Sequence, residues 1–92
     1  MNDDEPIDLP IEDAIDLHPF RPKDIADVVD SYLDAAIEAG IGEVRLIHGR
    51  GIGVQRDRIQ RMLAKDPRVI RFYDAPVERG GWGATVAHLK LR

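Results

Sequence analysis

"RLIHGRGIGVQR", residues 45–56, decides the fold. Its twelve positions hold four apolar residues, three arginines, one histidine and three glycines. An apolar run that passes into alternating glycines and then into a helical pattern reads as strand, tight turn, helix. Glycine adopts positive φ without steric cost and lets a ligand approach the backbone. Successive amide N–H groups beside a helix N-terminus attract anions. The turn could therefore hold a phosphate, hold a metal, or serve only to pack a helix on a strand. It lacks the Gly-Lys-Ser/Thr ending of a nucleotide-hydrolysing phosphate loop, and it is not a full dinucleotide fingerprint.

Upstream of the turn, Pro22 suits a first helical position. Ile25, Val28, Val29, Tyr32, Leu33, Ala36 and Ile37 then recur at spacings of three and four, with aspartates between them. Gly40 is placed to close that helix in a left-handed cap. Before it, "AIDLH" (14–18) alternates like a strand, Ile15 and Leu17 on one face, Asp16 and His18 on the other. Downstream of the turn, a second helix is predicted over about Val54–Lys65, with Ile59, Met62 and Leu63 inward and Pro67 beyond its end. "RVIRFY" (68–73) and "ATVAHLKL" (84–91) read as strands separated by the loop "DAPVERGGWG" (74–83).

The order β-α-β-α-β-β implies an α/β (α+β) two-layer sandwich. It has a four-stranded mixed sheet, three parallel strands and a returning antiparallel fourth, with both helices on one face. In such a sheet the carboxyl ends of the parallel strands form the usual ligand crevice. His18 and His48 end the first two strands, and "GGWG" (80–83) precedes the fourth, so all three features should meet at that edge.

Composition narrows the rest. Ninety-two residues suit one small domain. The sequence has no cysteine, which removes disulfides, thiolate metal sites and cysteine nucleophiles and fits a cytoplasmic location. No apolar run is long enough to span a membrane. The net charge is −4, yet it is uneven. Residues 1–12, read as an acidic extended or disordered lead-in to a domain over 13–92, carry five acids. Between Arg45 and Arg71 there are eight basic residues and two acids. That segment is either a docking patch for a phosphate chain or an arginine-rich solvated helix face.

Several candidates for chemistry follow. Asp16 and His18 could polarise a water, bind a divalent cation or position a phosphate; alternatively, Asp16 caps a turn and His18 fills a gap. His88 lies about 16 Å along the fourth strand from the edge at roughly 3.3 Å per residue, too far to join His18 and His48 on zinc. Trp82 either stacks on a base or sugar or lids the apolar core.

"IDLH" (15–18), "HGRG" (48–51) and "GGWGAT" (80–85), in this order and spacing, resemble the Smr (small MutS-related) domain family over nearly the whole chain. The chain looks like a stand-alone Smr protein. The resemblance implies a fold similar to the C-terminal domain of translation initiation factor 3. It also implies binding of DNA or RNA, nicking endonuclease activity in several members, and action on ribosomes in some longer ones. Many members have Gly after the D-x-H element, where Pro19-Phe20 stands here.

By that resemblance Asp16 and His18 match the positions linked to cleavage, His48, Gly49 and Gly51 the second motif and Gly81 and Gly83 the third; Asp16, His18 and His48 are the catalytic candidates. Gly49, Arg50, Gly51, Gly53 and Arg56 would hold the phosphate, joined by Gly81, Trp82 and Gly83. Asp16 is the one candidate metal ligand, for Mg²⁺ or Mn²⁺. Three functions remain to be separated: a phosphodiester-cleaving nuclease, a non-catalytic module that binds nucleic acid or the ribosome, and a protein-interaction domain using the acidic helix or lead-in.

Overall fold

The structure is a computed structural model that describes residues 11–92. The acidic lead-in expected over 1–12 thus lies outside the described residues except for Ile11 and Glu12. Six main elements follow in the expected order: β1 (Ala14–Asp16), α1 (Ile25–Glu38), β2 (Glu43–Ile47), α2 (Val54–Lys65), β3 (Val69–Asp74) and β4 (Ala84–Leu89). No helix among the described residues is long and apolar enough to cross a membrane.

Local chemistry explains the helix ends. Pro22 opens a short 3-10 turn, Pro22–Asp24, that leads directly into α1. At the other end Gly40 has φ 77°. Its N–H donates to the Ile37 carbonyl at 3.0 Å, and Ile41 N–H donates to Ala36 at 2.8 Å. This left-handed closure pairs carbonyls that the last turn of a helix otherwise leaves open. Gly53, at φ 84°, precedes α2 and supplies no side-chain cap. The amides of that first turn therefore stay unpaired.

The sheet order is β1-β2-β4-β3. β1 and β2 are parallel, and β4 runs antiparallel to both β2 and β3. The fourth strand is thus inserted between the second and third. Burial accounts for that position: every β4 residue except His88 is buried, so both of its faces are covered. A strand buried on both faces belongs in the interior of a sheet. β3, at one edge, carries a register irregularity between Val69 and Arg71.

Both helices lie on one face. Val29, Leu33 and Ala36 of α1 and Ile59 and Leu63 of α2 share one core with Val44, Leu46, Ala87 and Leu89 of the sheet. Tyr32 closes this core near β1, its hydroxyl donating to the Glu12 carbonyl at 2.7 Å. Its burial, with the charges of Asp13 and Glu12, pushes the phenol up to about 12. The opposite face has only a small cluster, Ala75, Ala84 and Val86 with Ile47. There the β3–β4 loop is tied down by Arg45, whose Nη1 donates to the Arg79 carbonyl at 3.0 Å.

Candidate functional site

The carboxyl ends of β1 and β2 lie side by side, because Asp16 pairs with Ile47 and Leu17 N–H donates to the Ile47 carbonyl at 2.8 Å. β1 stops at Asp16, and His18 sits in the turn that follows rather than in the strand. Asp16 makes that turn. Its Oδ1 accepts the His18 backbone N–H at 2.9 Å and the ring Nδ1–H at 2.7 Å. These two hydrogen bonds hold the Asp16 carboxyl below its ordinary value, so it stays ionised and can only accept. The carboxylate thereby fixes the proton on Nδ1 and leaves His18 Nε2 as the available nitrogen.

That nitrogen lies over Gly49. A Cβ added at Gly49, whose φ is 84°, would collide with His18 Nε2. Gly49 therefore serves two ends, a left-handed backbone and a seat for the imidazole. Gly51 and Gly53 also have positive φ, 42° and 84°. Two of the expected cradle amides are already engaged: Gly49 N–H donates to the Gly83 carbonyl at 2.8 Å and Gly53 N–H to the Arg50 carbonyl at 3.1 Å. The amides of Arg50, Gly51 and Ile52 have no acceptor among the described residues, nor do those of Val54, Gln55 and Arg56 in the first turn of α2. The anion-seeking donors are thus shifted toward the helix relative to the span Gly49–Gly53. Residues Arg50–Gln55, with His18, His48 and Gly49, line a cleft of about 270 Å³.

The GGWG segment meets this turn from β4. His48 N–H also donates to the Gly83 carbonyl, at 3.1 Å. A Cβ at Gly83 would stand 3.0 Å from Arg50 Cγ, and one at Gly81 would stand 3.3 Å from an Arg50 guanidinium nitrogen. Glycine at both positions gives the Arg50 side chain its path. The guanidinium itself makes no hydrogen bond or ion pair with the described residues and is exposed.

His48 is placed differently from His18. It is only 7% exposed. Its Nδ1–H donates to the Gly49 carbonyl at 3.0 Å, and the Thr85 hydroxyl donates to its Nε2 at 2.8 Å. Burial keeps its imidazole below the ordinary value against the opposing pull of the Gly49 carbonyl, so it is neutral at neutral pH. Both nitrogens are spent on holding the turn. Thr85 in turn accepts from Gln60 Nε2 at 3.2 Å, and the same amide donates to Asp74 at 2.9 Å. Of these three, the sequence singled out only Thr85, as the end of the GGWGAT motif, and nothing in it pointed to a contact with His48.

Arg56 is held by Asp74 through two parallel hydrogen bonds of 2.8 and 2.7 Å. The paired guanidinium depresses the Asp74 carboxyl, and the Arg56 carbon lies 5.4 Å from the Trp82 ring centre. Trp82 is 45% exposed, and its ring stands 3.6 Å from where a Gly53 Cβ would be. It covers the turn and not the apolar core. Other members of the basic segment are also paired: Arg61 with Asp57, and Arg68 with Asp30, Asp34 and Asp66. Arg50, in the turn itself, has no carboxylate partner among the described residues, and the pairing of Arg56, Arg61 and Arg68 makes the patch weaker than the residue count suggests.

Among the described residues no group of three or more His, Asp or Glu side chains comes together that could hold a metal ion. Asp16 offers one carboxylate, with Oδ1 already accepting two hydrogen bonds, and no second carboxylate lines the cleft. Mg²⁺ and Mn²⁺ require several oxygen ligands. His88 lies at the opposite end of β4, bonded to the Tyr73 hydroxyl at 2.9 Å.

A two-layer α/β domain with its polar site on the carboxyl ends of parallel strands defines the class. Within it the chain belongs to the Smr domain family, whose model matches residues 15–90. It is 38% identical over 80 residues to Endonuclease MutS2 of Pediococcus pentosaceus, covering 87% of this chain and 10% of that protein. It is 39% identical over 80 residues to Endonuclease MutS2 of Clostridium botulinum, with the same coverage. The chain thus spans about a tenth of the length of these relatives. The crystal structure of the Smr domain of Thermus thermophilus MutS2 superposes with a TM-score of 0.81 at 37% identity, covering 86% of this chain and 99% of that one. YdaL of Escherichia coli, a stand-alone small MutS-related protein, shares the fold: TM-score 0.79, 24% identity, 85% of this chain and 64% of that one.

Proposed function

We propose that this Smr domain binds nucleic acid at the β1–β2 edge and hydrolyses a phosphodiester bond there. One observation carries the reading: an Asp16-oriented His18 presents a free Nε2 beside a row of unpaired amides and an uncommitted Arg50. The bridging phosphate rests on the amides of Arg50–Ile52 and the first turn of α2, where the helix end favours negative charge. Arg50 neutralises charge that grows on the phosphoryl oxygens during attack. His18 Nε2 takes a proton from a water whose oxygen bonds to phosphorus, and the ester oxygen leaves and takes up a proton from solvent. Asp16 holds the ring in the required tautomer and stabilises the imidazolium once formed. His48 positions the turn and exchanges no proton. The identity to MutS2 endonucleases supports this assignment of reaction class.

The test incubates purified protein with supercoiled plasmid and with structured RNA, in Mg²⁺, Mn²⁺ or EDTA, beside His18→Ala and Asp16→Asn. A general base contributes about 10²–10⁴-fold. Cleavage should fall by that range in His18→Ala while binding persists. Binding without cleavage by the native chain would establish the non-catalytic module instead. Equal cleavage by His18→Ala would remove the imidazole from the mechanism.

A further inference from the structure

A second cleft of about 260 Å³ also borders His18, and nothing in the phosphate chemistry above uses it. It is the more enclosed of the two. Its walls include Leu17, Phe20, Pro22, Ile25 and Ile59, with His18, His48 and Gln55 along one side. Phe20 is 40% exposed although it is large and apolar, and it stands in the turn directly after the Asp16–His18 pair. Gln55 belongs to both clefts, and its Oε1 is buried without a hydrogen-bond donor among the described residues.

These features specify a ligand. Apolar and aromatic walls suit a flat, weakly polar ring. A carboxamide oxygen with no donor gains from any ligand whose N–H lets it turn into the cleft. His18, His48 and Gln55 line both clefts, so a ring in one and a phosphate in the other lie close enough to belong to one molecule. We infer that the Phe20 cleft is a subsite for the nucleobase attached to the phosphate bound on the glycine turn. Every nucleobase carries an N–H donor on its pairing edge, so Gln55 reads that edge, and the base it receives must be unpaired. The subsite thereby favours a single-stranded or extruded nucleotide over one stacked in a duplex. This inference rests on the turn being the phosphate site.

Backbone amide NMR titrations with adenosine 5′-monophosphate, uridine 5′-monophosphate and ribose 5-phosphate separate the two ideas. Both nucleotides should move Leu17, His18, Phe20 and Ile25 together with Arg50–Arg56, whereas ribose 5-phosphate should move the turn alone. Stacking on an aromatic side chain is worth at least about fivefold in affinity. Phe20→Ala should weaken the nucleotides by that factor and leave ribose 5-phosphate unchanged. Gln55→Leu should weaken the nucleotides without lowering the Tm, because it removes an unpaired buried oxygen. If nucleotides and ribose phosphate move the same turn residues with equal affinity, the base subsite is overturned and the phosphate reading survives. If nucleotides move the Phe20 cleft but not the turn, the phosphate reading fails and takes with it the link between the two clefts, leaving only a ring-binding cleft. Silence of both regions overturns both.

Discussion

Replacing Gly49 with alanine should separate the two demands placed on this residue. The first is conformational. At φ 84° a Cβ is strained by about 1–2 kcal/mol, which for a domain of this size lowers the Tm by roughly 4–8 °C per kcal/mol. The second is local and chemical. The new methyl group would occupy the position of His18 Nε2. The imidazole is exposed, so it swings away at little cost to folding, but in doing so it leaves the Asp16 carboxylate. Gly51→Ala is the control, since its φ is 42° and a Cβ there meets nothing within 4 Å. Both variants should lose comparable stability. Only Gly49→Ala should raise the Asp16 carboxyl part of the way toward the ordinary value of about 3.9, because the ring hydrogen bond is lost while the His18 backbone N–H, the larger cause of the depression, still donates. Only Gly49→Ala should also lose general-base catalysis, by about 10²-fold or more. Carboxyl ¹³C titration, thermal unfolding and nicking rates read the three effects. An unmoved Asp16 titration in Gly49→Ala would refute the claim that this glycine seats the histidine.

Arg50→Ala should weaken binding to duplex or single strands and reduce the slope of log K against log salt by about 1. Asp27→Ala on the acidic face of α1 should leave the slope unchanged, and equal slopes would dissociate Arg50 from the phosphate. Thr85→Val should strand His48 Nε2 in the interior and cost about 1–3 kcal/mol in urea unfolding, whereas Thr85→Ser should restore most of it. Arg68→Met should destabilise the domain by about 1–2 kcal/mol at pH 7. Asp66 has its carboxyl depressed by Arg68. The stability from this pair is therefore complete above the unfolded value near 3.9 and is lost as pH falls through the lower folded value. The gap between Arg68→Met and the native chain should narrow at pH 3, and a gap constant with pH would exclude the ion pairs as its source.

The elements of this domain were readable because their signals are local. Apolar spacing of three and four marked both helices, Gly40 marked the end of α1, and the β-α-β-α-β-β order brought His18, His48 and the GGWG segment to one edge. The position of β4 between β2 and β3 was not specified by that order, although the small apolar residues Ala84, Val86 and Ala87 already suit a strand covered on both sides. Long-range pairings were not readable at all. Nothing near Arg56 announces Asp74, and nothing near Arg68 announces Asp30 and Asp34 on α1. The eight basic residues of 45–71 therefore looked more available than they are. Likewise, the engagement of the Gly49 and Gly53 amides depends on Gly83 and Arg50 carbonyls, which only the assembled turn brings within reach.

The insertion of β4 has a consequence for biosynthesis. β2 and β3 share no ladder; each pairs with β4, the last strand to be made. As the chain grows at roughly 5–20 residues per second, β1, α1 and β2 wait several seconds before anything can fill the gap beside them. Until then α2 has half a floor to rest on, and Gly83 is not there to receive the His48 and Gly49 amides. The edge that gathers Asp16, His18 and the glycine turn is consequently completed last. A nascent chain interrupted before Ala84 carries all of the residues of the Asp16–His18 pair and the turn, but not the geometry that unites them.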